Sequence, residues 1–260
     1  MLDKGADEDT LKIFESFNHP KFLKNKCKTH KGAEQARHEA IKLSSTNWFF
    51  QLDSDDKIPP YAIKEILNKI SENPKAEFIY GPTMHFSKNS SYVMQPSKNI
   101  EVLTTSALFS SQMPIKISMY FRIGGYAKEL KHFAADWDFW LSVYEKNIVG
   151  AETKKILYHR RNHDNNVISR NMSRWPEVLN IIIARHPKYF CINERKSKAL
   201  YYVNEKLARH YRTKRRRKKA AFYAKIALVY GESTTGLQEI LNEEKMSMIR
   251  YAIRLLGKLL

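Results

Sequence analysis

The stretch WFFQLDSDDKIPP, residues 48–60, constrains the fold of this chain more than any other part of it. It begins with a five-residue apolar run that only Gln51 interrupts, and such a run predicts a strand buried on both faces. The run stops at three carboxylates, Asp53, Asp55 and Asp56. Residues two apart in an extended chain point the same way, so Asp53 and Asp55 are expected to face one ligand together.

These acidic residues have two interpretations. Neighbouring carboxylates repel each other, and a divalent cation shared with an anionic ligand relieves that repulsion. The carboxyl ends of strands are also where open α/β sheets bind their ligands. The alternative is an acidic turn that caps a helix beginning after Pro59–Pro60, because aspartate fills that position well.

Helical and strand patterns alternate along the first 170 residues. Helices are expected after the acidic residues Asp7, Glu8 and Asp9, over Gly32–Ser44, and between Pro60 and Pro74, with a strand in AEFIYG. The apolar face of the third helix is predicted from its spacing to contain Ile63, Ile66, Leu67 and Ile70. This alternation is typical of an α/β domain with a mainly parallel sheet.

A further helix is predicted after the Gly124–Gly125 turn. Its buried face is predicted from helical spacing to contain Trp137, Trp140, Leu141 and Tyr144. Asp136 stands at the N-terminus of this helix, where aspartate is often only a cap. It could instead be a carboxylate that faces a cleft, held ionised by the helix dipole as a general base requires.

Cationic residues flank these candidates. Arg37 lies in the middle of the second predicted helix, where an arginine is usually a solvated surface residue. Arg160, Arg161 and His163 follow a predicted strand in KKILYHRRNHDNN. A lone histidine is more often a surface or core residue than a ligand, but this one is grouped with cations.

The positive charge is concentrated in the last third of the chain. Residues 1–170 hold 25 Lys and Arg against 20 Asp and Glu, a net of +5, whereas residues 171–260 hold 20 against 7, a net of +13. This asymmetry predicts a separate helical extension over 171–260 with a polyanionic partner. Two distant cysteines form no disulfide framework, and neither a secretory signal nor a membrane-spanning run is recognisable, so a reducing cytoplasmic location is expected.

Two features of the extension bear on its partner. A helix pair is expected around the run KRRRKK, Lys214–Lys219, with Leu207 and Tyr211 before it and Phe222, Ile226 and Val229 after it as the packing residues. The run itself is expected to be a solvated turn. In the last predicted helix, Met246, Ile249, Ile253, Leu256 and Leu260 lie on one side, and Arg250, Arg254 and Lys258 lie on another. This layout fits contact with an anionic membrane surface, and equally packing against the first domain.

Taken in order, several motifs resemble those of the family 2 glycosyltransferases, inverting enzymes of the GT-A fold. The resemblance covers roughly residues 2–170 and rests on LDKGADEDT, GAEQARHEAI, QLDSDD, FRIGGYAKEL with ADWDFWL, and RNHDNN. It implies a mixed, mainly parallel sheet flanked by helices over 1–170, followed by the basic helical extension over 171–260. The implied activity is transfer of a sugar from a nucleotide-sugar to a glycan or lipid-linked acceptor, as in polysaccharide biosynthesis of the cell envelope.

The resemblance also implies residue roles. Asp136 falls on the catalytic base of the family, and Asp3, Arg37, Asp53 and Arg161 fall on donor-binding positions. The implied cofactor is Mn²⁺ or Mg²⁺, held by Asp53, Asp55 and His163. The acceptor pocket is expected to include Trp137 and Asp138, although Trp137 also fits the buried face of its helix.

Departures from the family pattern leave two alternatives open. His38, Ala40 and Ala135 replace the usual Asn, Gly and Glu, and no segment matches the first strand of the family, so a missing central strand and impaired nucleotide binding are expected. The first alternative is therefore an inactive, truncated glycosyltransferase-like protein. The second is a basic nucleic-acid-binding protein, which only the positive charge favours. The sequence has no zinc-ligand spacing and no aromatic RNA-binding motif, so no nucleic acid is expected as a partner.

Overall fold

The computed structural model describes residues 6–26, 33–110, 112–130, 133–162, 171–192 and 194–256. The chain forms two compact units: Met1–Leu103 with Ala107–Asp164, and Thr104–Ser106 with Asn165–Leu260. The boundary predicted between residues 170 and 171 adjoins the stretch 163–170, which lies outside the described residues, and it stays a prediction.

The first unit is mixed α/β. Its helices are α1 (Glu8–Ser16), α2 (Ala33–Lys42), α3 (Ala62–Glu72), α4 (Ile117–Arg122) and α5 (Ala135–Glu145), with short 3₁₀ turns at Ile100–Thr104 and Lys128–Leu130. Its strands are β1 (Trp48–Phe49), β2 (Phe78–Tyr80), β3 (Thr83–Phe86), β4 (Ser91–Met94), β5 (Ile115–Lys116), β6 (Gly150–Glu152) and β7 (Tyr158–Arg161). The predicted helices and the strand in AEFIYG are thus present.

The strands form two small sheets, in the orders β1-β5-β2-β6 and β4-β3-β7. Within the described ranges, β2 pairs with β6 and β3 with β7 in parallel, whereas β1–β5, β2–β5 and β3–β4 are antiparallel. The mixed sheet is confirmed, but the described pairings are not mainly parallel.

The strand predicted over residues 48–52 is wrong in two respects. β1 contains only Trp48 and Phe49, both half-buried, and Leu52 is exposed. The chain leaves the ladder after Phe49 and closes a turn in which the backbone N–H of Asp56 donates to the carbonyl of Asp53 at 3.1 Å. The apolar run therefore forms a two-residue strand followed by an irregular segment that leads into the acidic turn.

The predicted apolar face of α3 is buried only in part: Ile66 is buried and Ile70 packs against the same core cluster. Ala62, Glu65 and Ile66 are buried, while Ile63 and Leu67 are exposed. The small Ala62 lets the helix pack closely in the cluster that contains Ile79, Ala151 and Leu157. Glu65 is tolerated there because its carboxylate accepts from the Thr153 hydroxyl at 2.6 Å and pairs with Lys155 at 2.8 Å.

Aromatic residues form the core around α5. The predicted burial of Trp137, Trp140 and Leu141 is confirmed, whereas Tyr144 is partly exposed. The Trp140 ring lies 5.1 Å from that of Phe78, which also packs against Tyr80 and Phe109. This cluster fixes α5, and with it the position of Asp136 at its N-terminal end.

The second unit is helical, as predicted. Its helices are α6 (Trp175–Arg185), α7 (Pro187–Phe190), α8 (Arg195–Thr213), α9 (Arg217–Tyr230) and α10 (Thr235–Leu256). Side chains are described only up to residue 249, so the predicted cationic face of the last helix lies outside them. Throughout the described ranges, no helix combines the length and the apolar character that crossing a membrane requires.

The expected packing of α9 is wrong for two of its three residues. Phe222 and Val229 are 58% and 75% exposed, while Leu207 and Tyr211 of α8 are buried as predicted. The buried residues of α9 are instead four alanines, Ala220, Ala221, Ala224 and Ala227. Alanines allow a closer approach of helices than Phe or Val, so the larger apolar residues remain outside.

Gly150 offers a test of packing around α5. A Cβ added to it would meet the Phe78 ring, with Cε1 at 2.7 Å, and the neighbouring aromatic rings leave that ring little room. We expect Gly150→Ala to lower the free energy of unfolding by about 1–3 kcal/mol, measured by urea denaturation. The control Val149→Ala, at an exposed neighbour, should change it by less than about 0.5 kcal/mol. Equal stability of Gly150→Ala and the wild type would show that the ring can move aside.

Candidate active site

An ion pair joins α2 to the acidic turn. Arg37 Nη2 donates to Asp53 Oδ1, and Glu34, one turn earlier on the helix, lies 3.7 Å from Arg37 Nη1. The side chains of Arg37 and Asp53 are 20% and 35% exposed. Burial alone would lower the pKa of Arg37, but the Asp53 carboxylate outweighs it, so that the pKa is raised. The cation is therefore fixed in its charged form beside the turn.

Gln112 completes the surroundings of Asp53. Its Nε2 donates to Asp53 Oδ2 at 2.8 Å, and its Oε1 accepts from the Ser110 hydroxyl at 2.5 Å. Gln112 is buried just before β5, so its amide is held in one orientation. The sequence analysis missed this residue, because a single glutamine in an irregular stretch has no recognisable pattern. The Asp53 carboxylate thus has a defined partner on each oxygen.

Asp56 fastens the acidic turn to β7. Its two carboxylate oxygens accept from the Tyr158 hydroxyl and from the Arg161 backbone N–H, both at 2.8 Å. The backbones of Lys57 and His159 exchange two further hydrogen bonds, at 3.0 and 2.8 Å. Burial and the Asp56 carboxylate raise the pKa of Tyr158, which keeps its hydroxyl a donor. Asp56 therefore has a structural role that the sequence analysis did not assign to it.

The expectation that Asp53 and Asp55 lie in an extended strand is wrong. Residues 54 and 55 occupy a turn, so the alternation of an extended strand does not apply to them. Arg161 contacts this turn by donating from Nε to the Asp55 carbonyl at 2.9 Å, and its guanidinium lies over the Phe86 ring at 4.8 Å. The structure thus brings Arg37, Asp53, Asp55 and Arg161 into one neighbourhood.

Asp136 lies at the start of α5 and is partly buried. Its Oδ1 accepts from the Trp137 backbone N–H at 2.9 Å. Burial raises the pKa of Asp136, and Glu34 raises it further, while the Trp137 N–H and Arg160 act in the opposite direction. The expectation that the helix end holds this group strongly ionised is therefore incomplete, because loss of solvent is the larger effect.

Tyr126 connects Asp136 with the Arg37–Asp53 pair. Its hydroxyl donates to Gln51 Oε1 at 3.1 Å, two residues before Asp53. Burial raises the pKa of Tyr126, and the charges of both Arg37 and Asp136 act on it. Glu34 likewise acts on both Arg37 and Asp136. Asp136 is therefore within electrostatic reach of the groups that surround the ion pair.

The two residues expected in the acceptor pocket are buried. Trp137 is 1% and Asp138 is 0% exposed, and Trp137 Nε1 donates to the Leu103 carbonyl at 2.6 Å. Direct contact with an acceptor does not fit this burial. Their position corresponds to the other interpretation, in which the face of α5 that contains Trp137 is part of the core.

The predicted metal site lies only partly within the described residues, because His163 is one of its three expected ligands. No group of three His, Cys, Asp or Glu side chains suited to a metal exists in the described ranges. Asp53 is engaged by Arg37 and Gln112, and His163, like Asp3, lies outside the described residues. A metal bound mainly by substrate phosphates needs only one or two carboxylates, and Asp55, partly buried in the turn, fits that smaller role.

The comparisons identify the family. The family model described as glycosyl transferase family 2 matches residues 1–132, just over half of the 260 residues. The chain therefore belongs to glycosyl transferase family 2.

Relatives extend the similarity beyond the matched segment. An uncharacterized glycosyltransferase of Haemophilus influenzae is 29% identical over 155 residues, which are 56% of this chain and 52% of that protein. The chondroitin synthase of Escherichia coli is 25% identical over 176 residues, 64% of this chain and 25% of that protein. The similarity thus spans about half of the first relative and a quarter of the second.

Solved structures confirm the fold. The crystal structure of S. aureus TarS 1-349 in complex with UDP-GlcNAc aligns with a TM-score of 0.57 and 17% identity, covering 87% of this chain and 71% of TarS 1-349. The same protein in complex with UDP aligns with a TM-score of 0.54. The fold is that of the GT-A glycosyltransferases, as the motif order predicted.

The raised pKa of Asp136 predicts a pH-dependent stability cost. For a carboxyl group whose pKa is raised on folding, the stabilising contribution is present below the unfolded pKa and is lost as the pH rises through the folded pKa. At pH 7 the ionised form therefore destabilises the fold, and Asp136→Asn should raise the urea midpoint. The gain should shrink as the pH falls towards the ordinary aspartate value of about 4.

The matched control for this experiment is Asp9→Asn, at an exposed position on α1, which should leave the midpoint nearly unchanged at both pH values. An Asp136→Asn protein that is less stable than the wild type at pH 7 would contradict the desolvation of Asp136.

Proposed function

We propose that the chain is an inverting glycosyltransferase that moves a sugar from a nucleotide-sugar donor to a hydroxyl of a glycan or lipid-linked acceptor. The observation that carries this proposal is the desolvated Asp136 carboxylate in the same region as the Arg37–Asp53 pair. Similarity to chondroitin and hyaluronan synthases supports a glycan acceptor, and similarity to a protein crystallised with UDP-GlcNAc supports a nucleotide-sugar donor.

The proposed reaction is a single displacement. The acceptor oxygen attacks the anomeric carbon and forms the new glycosidic bond, while the bond from that carbon to the diphosphate oxygen breaks with inversion. Asp136 takes the proton of the acceptor hydroxyl, and the nucleoside diphosphate leaves with the electron pair of the broken bond. Desolvation makes Asp136 a stronger base than an exposed aspartate, which suits proton transfer closer to neutral pH.

The donor is proposed to bind around the acidic turn. Arg37 and Gln112 orient the Asp53 carboxylate towards the nucleotide ribose, and Arg161 holds the turn through the Asp55 carbonyl. The resemblance adds Asp3 for the nucleotide base or ribose, and His163 for the diphosphate or the metal. Mn²⁺ or Mg²⁺ held by Asp55 and the donor phosphates would offset the charge that develops on the leaving nucleotide.

The proposal extends to location. The net charge of +13 over residues 171–260 supports peripheral contact of the basic helices with an anionic membrane, such as the inner face of the plasma membrane. A lipid-linked acceptor would be presented at the same surface.

Loss of the base tests the mechanism. We expect Asp136→Asn to lower kcat by about 10²–10⁴-fold with little change in KM, because the carboxylate acts only as the proton moves. The assay is nucleotide release from a panel of nucleotide sugars with Mn²⁺, with thermal-shift titration reporting donor binding separately. The control Glu72→Gln, at an exposed position on α3, should keep full turnover. Unchanged turnover of Asp136→Asn would exclude Asp136 as the base.

Two neighbouring charges should move the acidic limb of the kcat–pH profile in opposite directions. Activity requires ionised Asp136, so it falls as the pH drops through the pKa of that group. Glu34→Gln removes a charge that raises this pKa and should move the limb to lower pH. Arg160→Gln removes a charge that lowers it and should move the limb to higher pH. Shifts in the same direction, or none in either variant, would show that another group controls the limb.

A further inference from the structure

Helix α9 has an unusual distribution of residue sizes. Its four buried alanines are at most 2% exposed, whereas Phe222 and Val229 are 58% and 75% exposed. Burying an aromatic or a branched aliphatic side chain is favourable by about 1.5–3 kcal/mol. The exposed side chains of Phe222 and Val229 do not contribute this stabilisation to the fold. Large exposed apolar residues in a defined arrangement are typical of contact surfaces.

The exposed residues of α9 form a continuous stripe. Lys218, Phe222, Lys225 and Val229 are spaced by four, three and four residues, so they lie on one face of the helix, and all four are exposed. At 1.5 Å per residue the stripe is roughly 16 Å long. Cationic and apolar side chains alternate along it. We call these four residues the outer stripe.

The stripe begins at a dense group of cations. Lys214–Lys219 are six consecutive exposed cations, and among the residues that the structure describes none of them forms an ion pair, although nearby Arg212 pairs with Glu239 and Glu243. They lie at the N-terminal end of α9, where the helix dipole disfavours positive charge. An anion that approached these residues would offset this unfavourable charge–dipole interaction.

The cations border an open groove of about 900 Å³. It is lined by Arg212, Arg215, Arg216, Arg217, Lys218, Lys219, Glu243 and Ser247. Guanidinium groups suit phosphate oxygens, which they can bind through two parallel hydrogen bonds. The groove thus has the charge and the size for phosphate groups presented beside the outer stripe.

We propose that the outer stripe and the cationic run Lys214–Lys219 together form the surface through which this chain binds an anionic lipid bilayer. The cations meet the phosphate headgroups, and Phe222 and Val229 enter the boundary between headgroups and acyl chains. This inference rests on the proposed membrane contact and assigns it to α9.

The apolar residues favour a bilayer over a soluble polyanion. A nucleic acid or an acidic polymer can bind the cations and stack on Phe222, but it offers no apolar partner to Val229. A bilayer engages cationic and apolar residues at the same depth along the whole stripe.

Co-sedimentation of the full chain with vesicles tests this assignment. The vesicles contain phosphatidylcholine alone or phosphatidylcholine with phosphatidylglycerol. We expect the wild type to bind only the anionic vesicles. Two double variants should each bind the anionic vesicles at least tenfold more weakly. The apolar variant carries Phe222→Ser and Val229→Ser, and the cation variant carries Lys218→Gln and Lys225→Gln. The control Ile192→Ser with Lys196→Gln changes exposed residues elsewhere in the second unit and should bind like the wild type.

A short single-stranded DNA provides the second arm. The cation variant should bind it more weakly than the wild type, and the apolar variant should bind it equally well. Circular dichroism confirms that each variant is folded, which is expected because the substituted side chains are exposed.

Three results would overturn the inference: no binding of anionic vesicles by the wild type, wild-type vesicle binding by the apolar variant, or equal weakening by the control. Wild-type vesicle binding by both stripe variants would leave membrane contact in place but assign it to another surface. Nucleotide release by the same proteins reports the proposed enzymatic activity independently.

Discussion

The site depends on the ion pair between Arg37 and Asp53. It joins α2 to the turn after β1, two segments that are 16 residues apart, and Gln112 reaches the second oxygen of the same carboxylate from a third segment. Neither charge could be half-buried there alone, because an unpaired charge in a partly dry environment is costly. The pair therefore fixes the position of the helix, the turn and the residues before β5 together, before any ligand arrives.

The three acids of the turn have separate roles. Asp53 is oriented by a cation and an amide, Asp56 binds β7 through Tyr158 and Arg161, and Asp55 stands between them with its carbonyl held by Arg161. This division limits the mutual repulsion of the carboxylates without requiring all of them to bind one ion. Asp136 lies on a separate element, at the N-terminal end of α5, where burial raises its pKa. One region thus contains acids with distinct environments, which is how acid and base roles are separated.

Much of this was predictable from the sequence, and the failures have physical reasons. Periodicity located α2, α3, α5 and the helices of the second unit, and the motif order predicted the fold. Periodicity predicted the buried residues of α5 and α8 but was partly wrong for α3 and α9, since Ala62 and the alanines of α9 allow close packing that leaves Leu67 and Phe222 outside. It also failed for the acidic residues, where a turn replaced the expected strand. Gln112 had no signal at all, because its role arises only from folding.

The connection between the acidic turn and β7 has a mechanical consequence. The turn continues from β1 in one sheet, while β7 belongs to the other, and the two sheets share no strand in the described ranges. Asp56 and the paired backbones of Lys57 and His159 form a rigid linkage between them. A ligand that displaced the turn would therefore displace β7 with it, through the hydrogen bonds that join the two sheets.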